Sequence, residues 1–167
     1  MKHLRQSVLT VAFPLCLCLL ATGCVTANYA SIEENQEAKA FTPAPDYASV
    51  YIFRESRVWG GGATFPIVVD GRPIGEITSG SFFVLQMVPG EHDVWATPNK
   101  NAAAFEFERE NVVLTIDVRG GQLRFIEFTF GHAGTPRLTE VDPSRGKEVI
   151  IDSRLINAQE VSGPDID

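Results

Sequence analysis

Hydrophobic and polar positions alternate in different ways along this chain, and each pattern predicts a different element. Residues 8–20 are apolar apart from Thr10 and the break at Pro14. Residues 25–46 are mostly polar. From residue 48 the apolar positions recur every second residue in short runs divided by glycine and proline, the signature of strands joined by turns. After Asp142 the spacing lengthens toward a helical period.

The stretch that organises the rest is residues 65–97, which reads as two consecutive hairpins, a meander. Asp70-Gly71 suits a type I′ turn, because both central residues need positive φ. Pro73 gives no N–H to a ladder, so it belongs at a strand start, an edge or a bulge. Gly75 inside the following strand predicts a bulge or a close backbone approach. After the turn at Ser79-Gly80, residues 82–88 (FFVLQMV) are apolar almost throughout, which predicts a central strand covered on both faces. Pro89-Gly90 turns the chain again into the strand 92–97.

Around this core the same reasoning places further strands. In 48–55, Val50 and Ile52 share one face and Tyr51 and Phe53 the other. A short strand is predicted at 104–108. In 112–118, Val112, Leu114, Ile116 and Val118 form a buried face. Arg119-Gly120-Gly121-Gln122 reads as a hairpin turn into 123–130, with Ile126, Phe128 and Phe130 inward, and a last strand covers 137–141. Asp142-Pro143 is an N-cap followed by proline at the first helical position. It predicts a helix to about Asn157 with Val149, Ile150 and Leu155 in its buried stripe. The predicted fold is an all-β, antiparallel immunoglobulin-like sandwich with one C-terminal helix, spanning residues 48–157. Residues 24–47 read as a flexible tether, within which the capping box Ser31-x-x-Glu34 allows a short helix over 32–40. Residues 158–167 read as a disordered acidic tail.

The segment VVDGRPIGEITSG followed by VPGEHDVWA resembles the PEGA-type domain pattern. It is still more similar to a family of bacterial lipoproteins known as domain of unknown function 2846. The similarity covers about residues 48–155, from the strand VYIFR through LTIDVRGGQLRFIEF. It implies a small β-sandwich on a lipid anchor, and no catalytic residues are carried over with it.

The N-terminus bears on that anchor. Lys2 and Arg5 precede the apolar run, and Leu20-Ala21-Thr22-Gly23-Cys24 ends it. This resembles the bacterial lipobox. There the cysteine thiol takes a diacylglyceryl group, and cleavage between Gly23 and Cys24 leaves the cysteine as residue one. The competing readings are an ordinary secretory signal and an uncleaved anchor, although the run is short of the ~20 residues that a spanning helix needs. Cys16 and Cys18 lie in the segment to be removed, so a mature chain would keep Cys24 alone, with no internal disulfide. Acyl chains on Cys24 are then the expected membrane attachment. Val25, rather than Asp, follows it, which favours the outer membrane facing the periplasm in a Gram-negative cell.

The formal charge is −7, and −9 once Lys2 and Arg5 are removed with residues 1–23. So acidic a domain argues against nucleic acid and against charge-driven binding to anionic lipid. Candidate chemistry is sparse. The mature chain has two histidines. His92 shares strand parity with Val94 and Ala96 and reads as a structural histidine bonded to backbone. His132 lies in a glycine loop. No zinc spacing, nucleophile elbow or phosphate loop is present; the glycines at 60–62 lead into a strand, without the Lys-Ser/Thr a phosphate loop requires. Asp70 reads simply as a turn residue, and no cofactor is expected. Two readings follow. In the first, the domain is a non-catalytic interaction or structural module for an envelope protein or the cell wall, with Trp59, Gly61, Trp95 and His132 as its candidate surface. In the second, it binds a small ligand or hydrolyses one weakly through loop residues near His132.

Overall fold

The computed structural model describes residues 27–58, 61–97, 113–130 and 135–158. Nine strands and two helices are present among them. Strands β1 (Ala48–Arg54), β4 (Ser81–Met87), β7 (Leu123–Phe130), β8 (Pro136–Val141) and β9 (Arg154–Leu155) form one sheet in the order β8-β7-β1-β4-β9. Strands β2 (Phe65–Val69), β3 (Arg72–Ile77), β5 (Gly90–Ala96) and β6 (Leu114–Val118) form the other, in the order β3-β2-β5-β6. The helices are α1 (Ile32–Ala38) and α2 (Pro143–Ile151). The fold is an all-β sandwich with a C-terminal helix.

The central strand β1 is buried at every position. Its alternation divides the protein into two cores, as the sequence pattern requires. Val50 and Ile52 join the core between the sheets with Ile67, Ile77, Phe83, Val94, Ile116 and Ile126. Tyr51 and Phe53 face the other way, into a second core with Phe82, Phe125, Val149 and Ile150 under α2. Burying each of these large side chains contributes about 1.5–3 kcal/mol, so α2 is held mainly by this second face. Gly146 lets it approach closely: a Cβ there would stand 2.5 Å from Phe125 Cγ.

The meander is only partly present. Asp70 and Gly71 take φ of 49° and 80°, and β2 pairs with β3 around that turn. The register slips between Ile67 and Val68, opposite Pro73 and Gly75, and Gly75 (φ 142°) lies against the Phe83 ring. The expected bulge and close approach are both there. The next two turns, however, carry the chain from sheet to sheet. β4 pairs with β1 and β9, and β5 pairs with β2 and β6. Likewise β6 and β7 do not form a hairpin across Gly120-Gly121. β7 crosses to lie parallel to β1, so the first sheet is mixed rather than antiparallel. Glycine turns signal reversal of the chain, but not which sheet receives it.

Two further boundaries differ. α2 ends at Ile151, and Leu155 belongs to β9, where it still faces the second core. Residues 27–47, read from composition as a spacer, pack on the domain. The Ser31/Glu34 capping box is formed. Asn35 Oδ1 accepts from Leu155 N at 2.8 Å, and Tyr51 Oη donates to the Ala38 carbonyl at 2.9 Å. Lys39 Nζ donates to the carbonyls of Ile151 and Ser153 at 2.9 and 2.6 Å. The predicted strand 104–108 and the acidic tail from 159 onward lie outside the described residues.

Candidate functional site

Strand direction decides which residues can meet. β1 runs from Ala48 to Arg54 and β4 runs back from Ser81, opposite Arg54, to Met87, opposite Ala48. The sandwich therefore has an Arg54 end and a Met87 end. Val58 and Gly61 leave from the Arg54 end. So do the end of β7 at Phe130 and the start of β8 at Pro136, which pair with each other. Topology thus brings the flanks of both glycine loops to one end. Trp59 and His132, within those loops, lie outside the described residues, as do Gly23 and Cys24.

Arg54 forms the floor of this end. It points inward, is 3% exposed, and its guanidinium carbon stands 5.6, 5.4 and 5.1 Å from the rings of Phe65, Phe128 and Phe130. Its Nη1 donates to the Ala63 carbonyl at 2.6 Å, which fixes the end of the glycine loop. Burial, and then the like charge of Arg57, lower its pKa from the ordinary value; a guanidinium starts so high that it stays charged at neutral pH. Three rings around one cation is a cation–π arrangement. Phe130, expected inward, is 36% exposed at its rim and caps the cage.

The other side of the loop is pinned as well. Ser79 Oγ accepts from Arg57 N at 2.9 Å, and Gly80 N donates to the Arg54 carbonyl at 3.0 Å. Gly61 is partly exposed and sits under Arg57, where an added Cβ would meet the Arg57 carbonyl at 2.7 Å. Arg145, from α2, bridges Glu127 at 2.9 Å and Glu55 at 3.2 Å, and Glu55 also pairs with Arg57 at 3.5 Å. The rim is an ion-pair network beside the apolar Val58, which is 97% exposed.

Trp95 does not belong to this surface. It lies beside Val68 on the outward side of the second sheet and is 4% exposed. Parity placed it opposite Val94 correctly; exposure does not follow from parity. Tyr51 is likewise buried. Among the sequence-predicted candidates, Gly61 is therefore the one that the described residues place at the loop end. Arg54 and its phenylalanine cage were missed. The available signal was an arginine in phase with Val50 and Ile52.

His92 lies at the opposite end. Its Nε2 donates to the Val88 carbonyl at 2.9 Å, as expected of a structural histidine, and its Nδ1 lies 2.6 Å from Asp70 Oδ2. Burial lowers its pKa, but the hydrogen bonds to Asp70 and Val88 and the Asp70 charge outweigh it and raise the net value. Asp70 is more than a turn residue, because its Oδ1 also accepts from Asp93 N at 2.9 Å. With both ring nitrogens engaged, the imidazole has no free position for acid–base work. Among the described residues, no group of three or more His, Cys, Asp and Glu side chains is arranged to hold a metal ion.

This architecture defines a small β-sandwich protein. Residues 44–140 match the family model "Protein of unknown function (DUF2846)", and the chain belongs to that family. It is 31% identical over 150 residues to an "Uncharacterized protein" of Haemophilus influenzae, covering 87% of this chain and 80% of that one. No solved structure matches it.

Proposed function

We propose that the protein is a lipid-anchored component of the bacterial envelope whose sandwich is a non-catalytic interaction module. The observation that carries this reading is the sequence Leu20-Ala21-Thr22-Gly23-Cys24 at the end of a short apolar run with Lys2 and Arg5 before it. Cys24 bears the acyl chains, and Val25 directs the protein to the outer membrane, facing the periplasm. The partner is an envelope protein or the cell wall, not nucleic acid. The loop end, where the exposed Val58 follows strand β1 and the buried Arg54 cage, supports a binding role: an exposed apolar residue next to a rigid framework is what an interface anchor needs.

The test begins with the intact mass and vesicle flotation of the mature protein, which should show an acylated N-terminal cysteine in the wild type and none in Cys24→Ser. Cross-linking in cells should then capture one dominant envelope species, and Val58→Asp should reduce that capture. An unacylated mature protein removes the anchor. A wild-type yield of that species from Val58→Asp removes the loop end as the interface.

A further inference from the structure

The segment expected to hold the domain away from its anchor is part of the domain. Ala30 N donates to the Leu155 carbonyl at 3.0 Å, Asn157 N donates to the Asn28 carbonyl at 2.8 Å, and Tyr29 bridges Ile156 in antiparallel fashion. Tyr29 Oη pairs with Thr78 Oγ1 at 3.1 Å, and the Arg154 guanidinium lies 3.8 Å from the Tyr29 ring centre. Ala27 packs on the core between the sheets. Between Cys24 and Ala27 there are three residue steps, which span at most ~11 Å. A free tether over 24–47 would instead reach roughly 80 Å when extended.

The pairing also gives a direction. β9 runs parallel to β4, and residues 27–30 run antiparallel to β9. Going from Ala30 back to Ala27, the chain therefore heads for the Met87 end. At that end an open groove of about 460 Å³ lies between β3 and β4, walled by Ile74, Leu85, Met87 and Val88 with Asp70, Arg72, Gln86 and His92 at its polar side. Val88 is 57% exposed.

We propose that this end is the membrane-facing surface: the domain sits directly on the bilayer, with Val88 and the groove against the headgroup region and the Arg54 end pointing away. The proposal rests on the acylation of Cys24 proposed above. The short connection, rather than surface charge, imposes the seating, since the domain is acidic. It also gives the loop end an orientation in which a partner in the aqueous space reaches it without obstruction from the lipid.

The mature chain has no free thiol once Cys24 is acylated, so a single introduced cysteine is uniquely labelled. Val88→Cys and Val58→Cys stand beyond opposite ends of β1 and β4, at least ~20 Å apart along the strands. Each acylated variant, labelled with bimane, is reconstituted into phosphatidylethanolamine–phosphatidylglycerol vesicles containing a nitroxide-headgroup lipid. Quenching at 88 is expected to exceed quenching at 58 several-fold. A ten-residue Gly-Ser insertion between Val25 and Thr26 should abolish that difference while flotation persists. Equal quenching at both sites in acylated, floating protein overturns the seating and leaves the anchor standing. A mature protein without acyl chains overturns both.

Discussion

Gly146→Ala sets two effects of opposite sign against each other. Alanine in place of glycine inside a helix favours it by about 1 kcal/mol. The added methyl, however, would lie 2.5 Å from Phe125 Cγ and 2.7 Å from its Cβ, with Cδ1 nearer still. Phe125 is fully buried. Its ring stacks on Tyr51 at 5.1 Å and 14°, and Phe41 packs on it at 5.9 Å. It therefore cannot yield without moving the second core. Overpacking of this kind costs about 1–3 kcal/mol, and contacts this short belong at the upper end. The expected net loss is about 1–2 kcal/mol, which lowers Tm by roughly 4 °C per kcal/mol in a domain of this size. Urea unfolding followed by far-UV circular dichroism measures it. Gly62→Ala is the control, because nothing lies within 4 Å of its Cβ position. Phe125→Leu combined with Gly146→Ala should lose less than the sum of the two single changes, since the smaller, non-planar side chain at 125 can give way to the methyl added at 146. A Gly146→Ala protein as stable as the wild type would refute the account of how α2 is docked.

Other changes test other parts of the structure. Trp95→Ala should cost about 3–5 kcal/mol, as truncation of a buried tryptophan does, and denaturant unfolding will register it as a loss of stability. Ser31→Ala removes a capping box and should cost about 1 kcal/mol, seen as faster amide exchange over residues 31–38 than in the β1 core. The raised pKa of His92 means that protonation favours the folded state: the contribution is complete below the unfolded value of about 6.5 and fades as pH rises through the folded value. Imidazole titration by NMR should place His92 above its ordinary value. In Asp70→Asn the value should drop, and the extra stability on the acid side should shrink.

The legible parts of the fold were those determined by local geometry. The Asp70-Gly71 turn, the Gly75 approach to Phe83 and the two-faced alternation of β1 each follow from the allowed conformations of a few neighbouring residues. The sheet partners of β4, β5 and β7 do not, because they depend on contacts far apart in sequence. The N-terminal segment was misjudged for a different reason. Its attachment combines polar contacts of Asn35 and Lys39 with a few scattered apolar side chains, Ala27, Tyr29, Ala38 and Phe41, that make no periodic stripe, so composition alone reads it as a spacer. At the loop end, Gly61 was visible as a residue of a glycine loop. Arg54 was hidden because an arginine at the end of a strand ordinarily marks the point where the chain meets water.

The edge strand β9 has a temporal consequence. Residues 28–30 pair their backbone across to residues 155–157, and β1 lies between β4 and β7, the second of which begins almost seventy residues after β1 ends. A chain made from its N-terminus cannot finish its first sheet until residues 154–157 have appeared. Such non-local closure makes folding slow. It also means that a partly made chain remains open at that edge, and that loss of residues 155–157 would free residues 28–30 of these partners as well.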